Sequence, residues 1–279
     1  MLIVPTGAQA FSLIQSNASS RPLNNIGMVV TPSTTEKGAW VQTFASVSND
    51  SYGLLMNINS NSTAGTTRST LLDVGVDPAG GTDYQVLIPN LICGGAYTYY
   101  TGMGGFWYFF PIFIPAGASV AVRAHSTATN GFRIFMQLLQ EPLNPAMVKT
   151  GSFIETLGIT TSPNGTDIVP GTTSEGDWVL VGTTTRRLWW WQAGLQFAPD
   201  DPSTSNNAYH LDVAVGDGTN FTVILQDHLF TANTAEAFGS VLRTNFCQFD
   251  VPAGSNIYAR VQTITLANAY TCAVYGMGG

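Results

Sequence analysis

Charged residues are scarce in this sequence. Asp, Glu, Lys and Arg together make up 10% of its 279 residues, against roughly 25% in an ordinary soluble domain. Lysine occurs only at Lys37 and Lys149, and Arg186-Arg187 is the one place where two basic residues are adjacent. A nucleic-acid interface needs a cluster of basic side chains, and the formal net charge is −7. The sequence therefore predicts no nucleic-acid partner.

Long hydrophobic runs are also missing. No stretch of about 18 apolar residues occurs, so the sequence predicts no transmembrane helix and no membrane partner. The longest candidate, residues 106–115, is too short and contains Pro111 and Pro115. The N-terminus has no basic segment, and Pro5 interrupts its apolar run. This pattern predicts a protein made in the cytoplasm without a signal peptide.

Cysteine occurs only three times, at Cys93, Cys247 and Cys272, and never in a C-x-x-C spacing. A zinc or redox site is therefore not predicted. Cys247 and Cys272 lie in predicted strands of the same half of the chain and could form one disulfide. We favour free thiols, because an unpaired cysteine behaves as a small hydrophobic residue in a protein core.

Catalytic motifs are absent as well. The sequence has no G-x-S-x-G nucleophile elbow and no phosphate-binding loop. None of His125, His210 and His228 has a neighbour at metal-ligand spacing, although His210 would share a strand face with Asp212. A glycan hydrolase needs two carboxylates about 5–10 Å apart in a cleft, whereas the 17 acidic residues are scattered along the chain. We predict no catalytic residues, no metal ion, no cofactor and no enzymatic activity.

The most informative feature that is present is an internal duplication. Four segments recur in the same order at an offset of about 138 residues, as from Trp40 to Trp178. The matching segments are 38–41 and 176–179, 72–76 and 211–215, 84–88 and 221–225, and 114–123 and 251–260. A repeat this long is a whole domain rather than a solenoid unit. Prolines at 142 and 145 suit a short linker, which predicts domains over residues 1–143 and 144–279.

Both halves carry the sequence pattern of β-strands. Short apolar or alternating segments are separated by turns rich in Gly, Pro and Asn, and no segment keeps a helical period. With about 130 residues and about eight strands in each half, a jelly roll fits best. The predicted fold class is all-β, with two tandem, internally duplicated antiparallel β-sandwich (jelly-roll-like) domains. The stretch before Gly38 is long for one strand and is a candidate N-terminal arm that reaches a neighbouring subunit.

Two charged residues recur in both halves. Asp73 corresponds to Asp212, and Arg123 corresponds to Arg260. One interpretation is a carboxylate or metal site in each half, and the other is an ion pair within each domain. We favour the ion pair, because features kept by both copies are more easily explained by a shared fold than by two active sites. The sequence thus predicts that Asp73 approaches Arg123 and that Asp212 approaches Arg260.

An aromatic cluster follows the two adjacent arginines. Trp189, Trp190 and Trp191 come directly after Arg186-Arg187-Leu188. In a strand, Trp189 and Trp191 face one way and Trp190 the other, so at least one ring points away from the domain core. Three interpretations remain open: burial in the core or at the domain junction, a subunit interface, or a surface that stacks on sugars.

A second group of aromatic residues flanks the glycine-rich loop at 102–105. It includes Tyr99, Tyr100 and Trp107. The same three interpretations apply to these side chains, which we take as candidate interface or ligand contacts.

The segments around Asp-Val-Gly-Val, Ile-Pro-Asn-Leu and Pro-Ala-Gly resemble a module of virion structural proteins of tailed bacteriophages. In the first half they occupy residues 71–76, 86–91 and 110–123. The second half repeats them more loosely, at residues 211–215, 223–229 and 249–260. There, Gln226 and Gln248 replace Pro89 and Pro111, which is a departure from the pattern.

The resemblance implies a structural subunit of the virion. We expect a capsid decoration (cement) protein that stabilises the head by subunit–subunit contacts, located on the capsid surface or tail and made in the host cytoplasm. Its expected partners are copies of itself, in a homotrimer or other homo-oligomer, and the major capsid protein or other virion proteins. A trimer would carry six similar domains, which suits a shell site of pseudo-sixfold character. The alternative is a receptor- or carbohydrate-binding module of a tail or head spike, with glycans as ligands.

Overall fold

The computed structural model describes twelve stretches of the chain. They are residues 12–15, 27–60, 68–95, 106–126, 129, 131–140, 150–159, 165–197, 207–232, 242–244, 247–263 and 270–279. All regular elements within these stretches are β-strands, and every ladder between the named strands is antiparallel. None of the described residues belongs to a helix long and apolar enough to cross a membrane.

Nine strands from the first half form two sheets. They are β1 (Ser12–Gln15), β2 (Met28–Val30), β3 (Val41–Phe44), β4 (Ser51–Ser60), β5 (Arg68–Asp77), β6 (Gln85–Gly95), β7 (Phe106–Phe110), β8 (Ser119–Ser126) and β9 (Phe132–Gln140). One sheet has the order β1-β9-β4-β7, with β2 also paired to β9, and the other has the order β3-β8-β5-β6.

Ten strands from the second half repeat this plan. They are β10 (Phe153–Leu157), β11 (Thr166–Ile168), β12 (Val179–Thr183), β13 (Leu188–Phe197), β14 (Asn207–Gly216), β15 (Phe221–Ala232), β16 (Leu242–Arg243), β17 (Cys247–Val251), β18 (Asn256–Thr263) and β19 (Tyr270–Gly278). One sheet runs β10-β19-β13, with β11 beside β19 and both β16 and β17 beside β13. The other runs β12-β18-β14-β15.

The strand order in each half is that of a jelly roll. The first strand pairs with the last, and the chain crosses between the two sheets of the sandwich after most strands, while the adjacent strands β5 and β6, and β14 and β15, pair within one sheet. The predicted fold class is therefore confirmed. No sheet among the described residues combines strands from both halves. The predicted boundary between residues 143 and 144 lies outside the described residues and stays a prediction.

The N-terminal stretch contributes to the first sandwich. Its described parts, β1 and β2, both pair with β9 of the same chain. These two strands therefore complete a sheet of their own domain. Residues 1–11 and 16–26, on which the predicted arm also rests, lie outside the described residues.

Alternation along the strands builds each core. In β9, Phe132, Ile134, Met136 and Leu138 are buried, whereas the intervening residues 133, 135 and 137 are only half-buried. The side chains of alternate residues point to opposite faces of a strand, so one face of β9 packs inside the sandwich. The second core is built in the same way, with Trp191 as its largest fully buried side chain.

The two sandwiches meet through one continuous hydrophobic core. Tyr275 and Met277 of β19 and Ile154 of β10 are buried in the same cluster as the core of the first domain. Their neighbours on β19, such as Val274, face the other way into the second core. The sheet β10-β19-β13 is thus covered on both faces, by its own domain and by the first domain. Full burial of side chains of this size contributes about 2–3 kcal/mol each.

Candidate functional site

The first recurring site is an ion pair between β5 and β8. Asp73 lies directly opposite Arg123 in the strand register. The Arg123 Nε donates to Asp73 Oδ2 at 3.0 Å, and the Lys37 ammonium lies 2.6 Å from Asp73 Oδ1. Asp73 is buried, so its charge depends on these two cations. Burial lowers the pKa of the Lys37 ammonium, and the charge of Asp73 partly offsets this effect.

The second domain contains the matching pair. Asp212 of β14 lies opposite Arg260 of β18, and the Arg260 Nε and Nη2 atoms donate to Asp212 Oδ2 at 2.9 and 2.7 Å. Asp212 is as deeply buried as Asp73. Both ion pairs predicted from the sequence are therefore present in the structure.

Each buried aspartate also holds a distorted strand in place. The amide of Asn90 donates to Asp73 Oδ1 at 2.9 Å, and the amide of Asp227 donates to Asp212 Oδ1 at 2.7 Å. Asn90 and Asp227 both have φ of 51° and are the only non-glycine residues of the described stretches with positive φ. This backbone conformation is unfavourable for an L-residue by about 1–2 kcal/mol, so the carboxylate offsets local strain at an irregular pairing between two strands.

A tryptophan completes each site. The Arg123 guanidinium carbon lies 4.5 Å from the Trp40 ring centroid, and that of Arg260 lies 4.3 Å from the Trp178 ring centroid. A guanidinium over an indole face is a favourable cation–π contact. The repeated tryptophan of the sequence therefore covers the repeated arginine. We call the two sets the first and second ion-pair centres.

The two centres differ in charge. Glu175 stands where the first half has Lys37, and its carboxylate contacts the Arg260 guanidinium. Carboxylate oxygens of Glu175, Asp212 and Asp227 lie within 4.8 Å of one another. Desolvation, followed by the hydrogen bond and charge of Asp212, raises the pKa of Glu175. The second centre thus has an excess of negative charge, whereas the first has an excess of positive charge.

His210 is not part of this carboxylate group. Its Nδ1 atom lies 3.9 Å from Asp227 Oδ1, and both side chains are about half exposed. The sequence predicted that His210 shares a strand face with Asp212, whereas the carboxylate near His210 in the structure is that of the exposed Asp227. Asp227 lies on a different strand, β15, and only the pairing of β15 with β14 reveals this neighbour.

The tryptophan cluster is mostly internal. Trp191 is 1% exposed in the second core, and Trp190 packs against the core that both domains share. Trp189 is half-buried beside the C-terminal Gly279. The structure therefore supports the core and junction interpretation for Trp190 and Trp191. Neither ring is available as an open sugar-stacking surface.

The adjacent arginines lie on the surface. Arg187 forms an exposed ion pair with Asp250, with Nε at 2.8 Å from Oδ1, and this hydrogen bond raises the pKa of Arg187. The Arg186 guanidinium carbon lies 4.6 Å from the Phe153 ring centroid. Both arginines therefore contact groups of the second domain other than the three tryptophans.

Trp107 is the exposed member of the predicted aromatic set. It lies on β7 and is 53% exposed. Tyr99 and Tyr100, which the sequence grouped with it, lie outside the described residues. In the sheet, Trp107 of β7 lies opposite Asn57 of β4, and Asn57 in turn lies opposite Phe135 of β9.

The sequence did not single out Leu229, an exposed apolar residue on the edge strand β15. Leu229 is 55% exposed. Its counterpart in the first half is Ile92, because each stands opposite the residue two positions before the buried aspartate. The signal for this site was the repeat itself, which aligns an exposed leucine with a buried isoleucine.

None of the three cysteines, all within the described stretches, forms a disulfide. Cys247 of β17 lies opposite Trp191 of β13, and Cys272 of β19 lies opposite Leu195 of β13. The two cysteines are therefore on opposite sides of β13 and four residues apart along it. Four residues span about 13 Å along a strand, and a disulfide needs Cα atoms within about 7 Å. The possible Cys247–Cys272 disulfide is therefore excluded in this fold. Burial raises the pKa of the Cys272 thiol to about 12.

Comparisons with known proteins show similar folds but no close relative. No protein-family model matches the sequence, and no curated protein matches it either. The structure of PNGF-II is similar with 11% identity and a TM-score of 0.41, over 96% of this chain and 65% of that chain. The chain thus spans less than two thirds of PNGF-II.

Two further solved structures resemble most of the chain. The STIV MCP has 8% identity and a TM-score of 0.39 over 96% of both chains. The CBM22-1-CBM22-2 tandem domain of Paenibacillus barcinonensis Xyn10C has 10% identity and a TM-score of 0.26, over 98% of this chain and 92% of that chain. Viral capsid proteins and carbohydrate-binding modules are both among the similar structures. At these TM-scores the similarities assign no function to this chain.

Proposed function

We propose that this chain is a non-enzymatic structural subunit of a virus particle, which acts by contacts with neighbouring subunits. The observation that carries the proposal is the continuous core between the two jelly rolls. Tyr275 and Met277 of the second domain are fully buried against the first domain. Such a joint makes one rigid block from two similar domains, which is what a regular protein shell requires of its subunits.

The recurring ion-pair centres support a structural role. Asp73 and Asp212 each accept hydrogen bonds from an arginine and from a main-chain amide. Both oxygens of each carboxylate are thus engaged in contacts within the fold. The same arrangement in both domains is that of a fold-stabilising element.

The low charge of the chain agrees with this proposal. With 10% charged residues, the surface has little like-charge repulsion to keep copies apart. The resemblance of its segments to bacteriophage virion modules supports a phage particle as the setting, and within that setting we propose a decoration (cement) subunit. Its partners are then other copies of the chain and the major capsid protein.

The solution mass of the purified chain tests the proposal. We expect size-exclusion chromatography with light scattering to show a trimer or larger homo-oligomer that persists at high salt, since apolar contacts are not screened by ions. Electron microscopy of the same sample should show particles of uniform size. A chain that stays monomeric at all concentrations and salt conditions would contradict the proposal.

A carbohydrate-binding module is the second candidate, and one observation favours it. Trp107 is 53% exposed, and an open indole ring can stack on a sugar. Under this alternative, sugars would quench the tryptophan fluorescence of the wild-type chain, and a Trp107→Ala variant would lose the response. Absence of quenching across a glycan panel would count against this alternative and leave the structural proposal unaffected.

A further inference from the structure

The contact between the two domains has two parts, which we call the edge and the face. The edge is β6, the outermost strand of its sheet, where the Ile92 amide donates to the Tyr275 hydroxyl at 2.9 Å. The face is the outward side of β10, β19 and β13, whose Thr156 Oγ1 donates to the Pro89 carbonyl. Because the domains are repeats, each domain has its own copy of both parts.

The second domain leaves its copy of the edge uncovered. Ile92 is 1% exposed under the second domain, whereas Leu229, in the same position on β15, is 55% exposed. A neighbouring pair shows that this difference is local. Val86 and Val223 also correspond to each other, and their exposures are nearly equal at 43% and 41%. Among the residues that the structure describes, none stands beside Leu229 as Tyr275 stands beside Ile92.

The first domain carries the matching copy of the face. β9 and β19 are both nine residues long and both begin with a buried aromatic residue, Phe132 or Tyr270. Counted from these first residues, Gln137 takes the position of Tyr275, and Leu55 lies opposite Gln137 on β4. Phe135 lies on the same outward side, and all three side chains are half-buried. Asn57 of β4 lies opposite Phe135, so this face combines apolar side chains with the amides of Gln137 and Asn57. Within the chain, the Tyr275 hydroxyl accepts a hydrogen bond from the edge strand β6. The side-chain amide of Gln137 offers a hydrogen-bonding group at the corresponding position.

We propose that the β15 edge of one copy docks on the outward face of β9 and β4 of a second copy, repeating between chains the contact that joins the two domains. This inference rests on the proposed structural function and names its self-association surface. The docking covers Leu229 as Ile92 is covered. An uncovered edge strand with apolar side chains otherwise invites unspecific pairing.

The proposed contact is head-to-tail. Each copy contributes one edge and one face, and these lie on different domains. Contacts of this kind do not form two-fold dimers: they close into rings where the rotation between copies closes, and otherwise extend into filaments. In the predicted homotrimer, three contacts within chains and three between chains would link six jelly rolls.

Two substitutions test the two sides of the contact. Leu229→Glu changes the edge and Leu55→Glu changes the face, and each should raise the dissociation constant of the oligomer about tenfold or more. The matched control is Val223→Glu, which changes another exposed apolar residue on the same strand, outside the proposed contact. It should leave the dissociation constant unchanged. Sedimentation equilibrium gives the constants, and circular dichroism checks that each variant is folded.

Mixing the two variants gives the sharper result. The Leu229→Glu copy keeps an intact face and the Leu55→Glu copy keeps an intact edge, so an equimolar mixture should form a 1:1 dimer and nothing larger. A mixture that stays monomeric, or a Leu229→Glu variant that keeps the wild-type oligomer, would overturn this contact while the structural function stands. A wild-type chain that never associates would overturn both.

Discussion

Asp73 and Asp212 show what a single buried side chain does in this protein. Each neutralises an arginine, binds the amide of a residue with positive φ and thereby joins three strands of one sheet. The sequence predicted the ion pairs, because residues that recur in both halves occupy equivalent strand positions. It did not predict Asn90 and Asp227, because their strained backbone depends on an irregular pairing that no local pattern records.

Replacement of Asp212 by alanine should strongly destabilise the protein. The variant removes the buried acceptor of the Arg260 guanidinium and of the Asp227 amide, while Glu175 still contacts Arg260, so we expect a loss of about 2–3 kcal/mol. Urea unfolding monitored by tryptophan fluorescence measures the loss. The control is Asp250→Ala, which breaks the exposed pair with Arg187 and should leave the unfolding midpoint unchanged. Equal losses of stability in both variants would show that burial does not determine how much an ion pair contributes to stability.

Strands and turns make up the next scale, and here the repeat was a good guide. The segments that recur at an offset of about 138 residues become β5 and β14, β8 and β18, and the turns between them. Whether an edge strand is open or covered was not predictable. Ile92 and Leu229 are both apolar residues in similar strands, and only the placement of the other domain distinguishes them.

The turn between β14 and β15 gives a pH-dependent prediction. Asp217 accepts hydrogen bonds from the amides of Asn220 and Thr219, at 2.7 and 2.8 Å, which lower the pKa of Asp217 to about 2. Because this folded-state pKa lies below the usual value of 3.8, the ionised side chain stabilises the fold above about pH 4. That contribution is lost as the pH falls towards 2.

An Asp217→Asn variant keeps an acceptor oxygen but cannot ionise. We expect its melting temperature to be below that of the wild type near pH 6, with the difference shrinking between about pH 4 and pH 2. Melting curves measured across this range check the prediction. A difference that stays constant down to pH 2 would contradict it.

At the scale of the whole molecule, the joint between the domains is the feature that the sequence could not supply. Its hydrogen bond between Ile92 and Tyr275 connects residues 183 positions apart. Periodicity tells which residues of a strand share a face, but not which face meets another domain. For the same reason, the tryptophan cluster was open to three interpretations, and the joint decided that of Trp190.

The joint predicts that the two domains unfold together. Tyr275→Phe removes the hydroxyl that accepts a hydrogen bond from the buried Ile92 amide, and it should lower the free energy of unfolding by about 1–2 kcal/mol. Calorimetry should show one transition, shifted as a whole to lower temperature. Tyr84→Phe is the control, since its hydroxyl accepts an exposed hydrogen bond from Gln42 and its loss should have little effect. Two separate transitions in the wild type would show that the shared core does not couple the domains.

The substitution of Lys37 by Glu175 between the two ion-pair centres has a consequence for symmetry. In backbone shape, a ring of six jelly rolls would repeat six times, because the two domains have the same strand order. In charge it would repeat only three times, since cationic and anionic centres alternate around it. A partner that binds by shape would find six equivalent positions on such a ring, whereas a partner that binds by charge would find three.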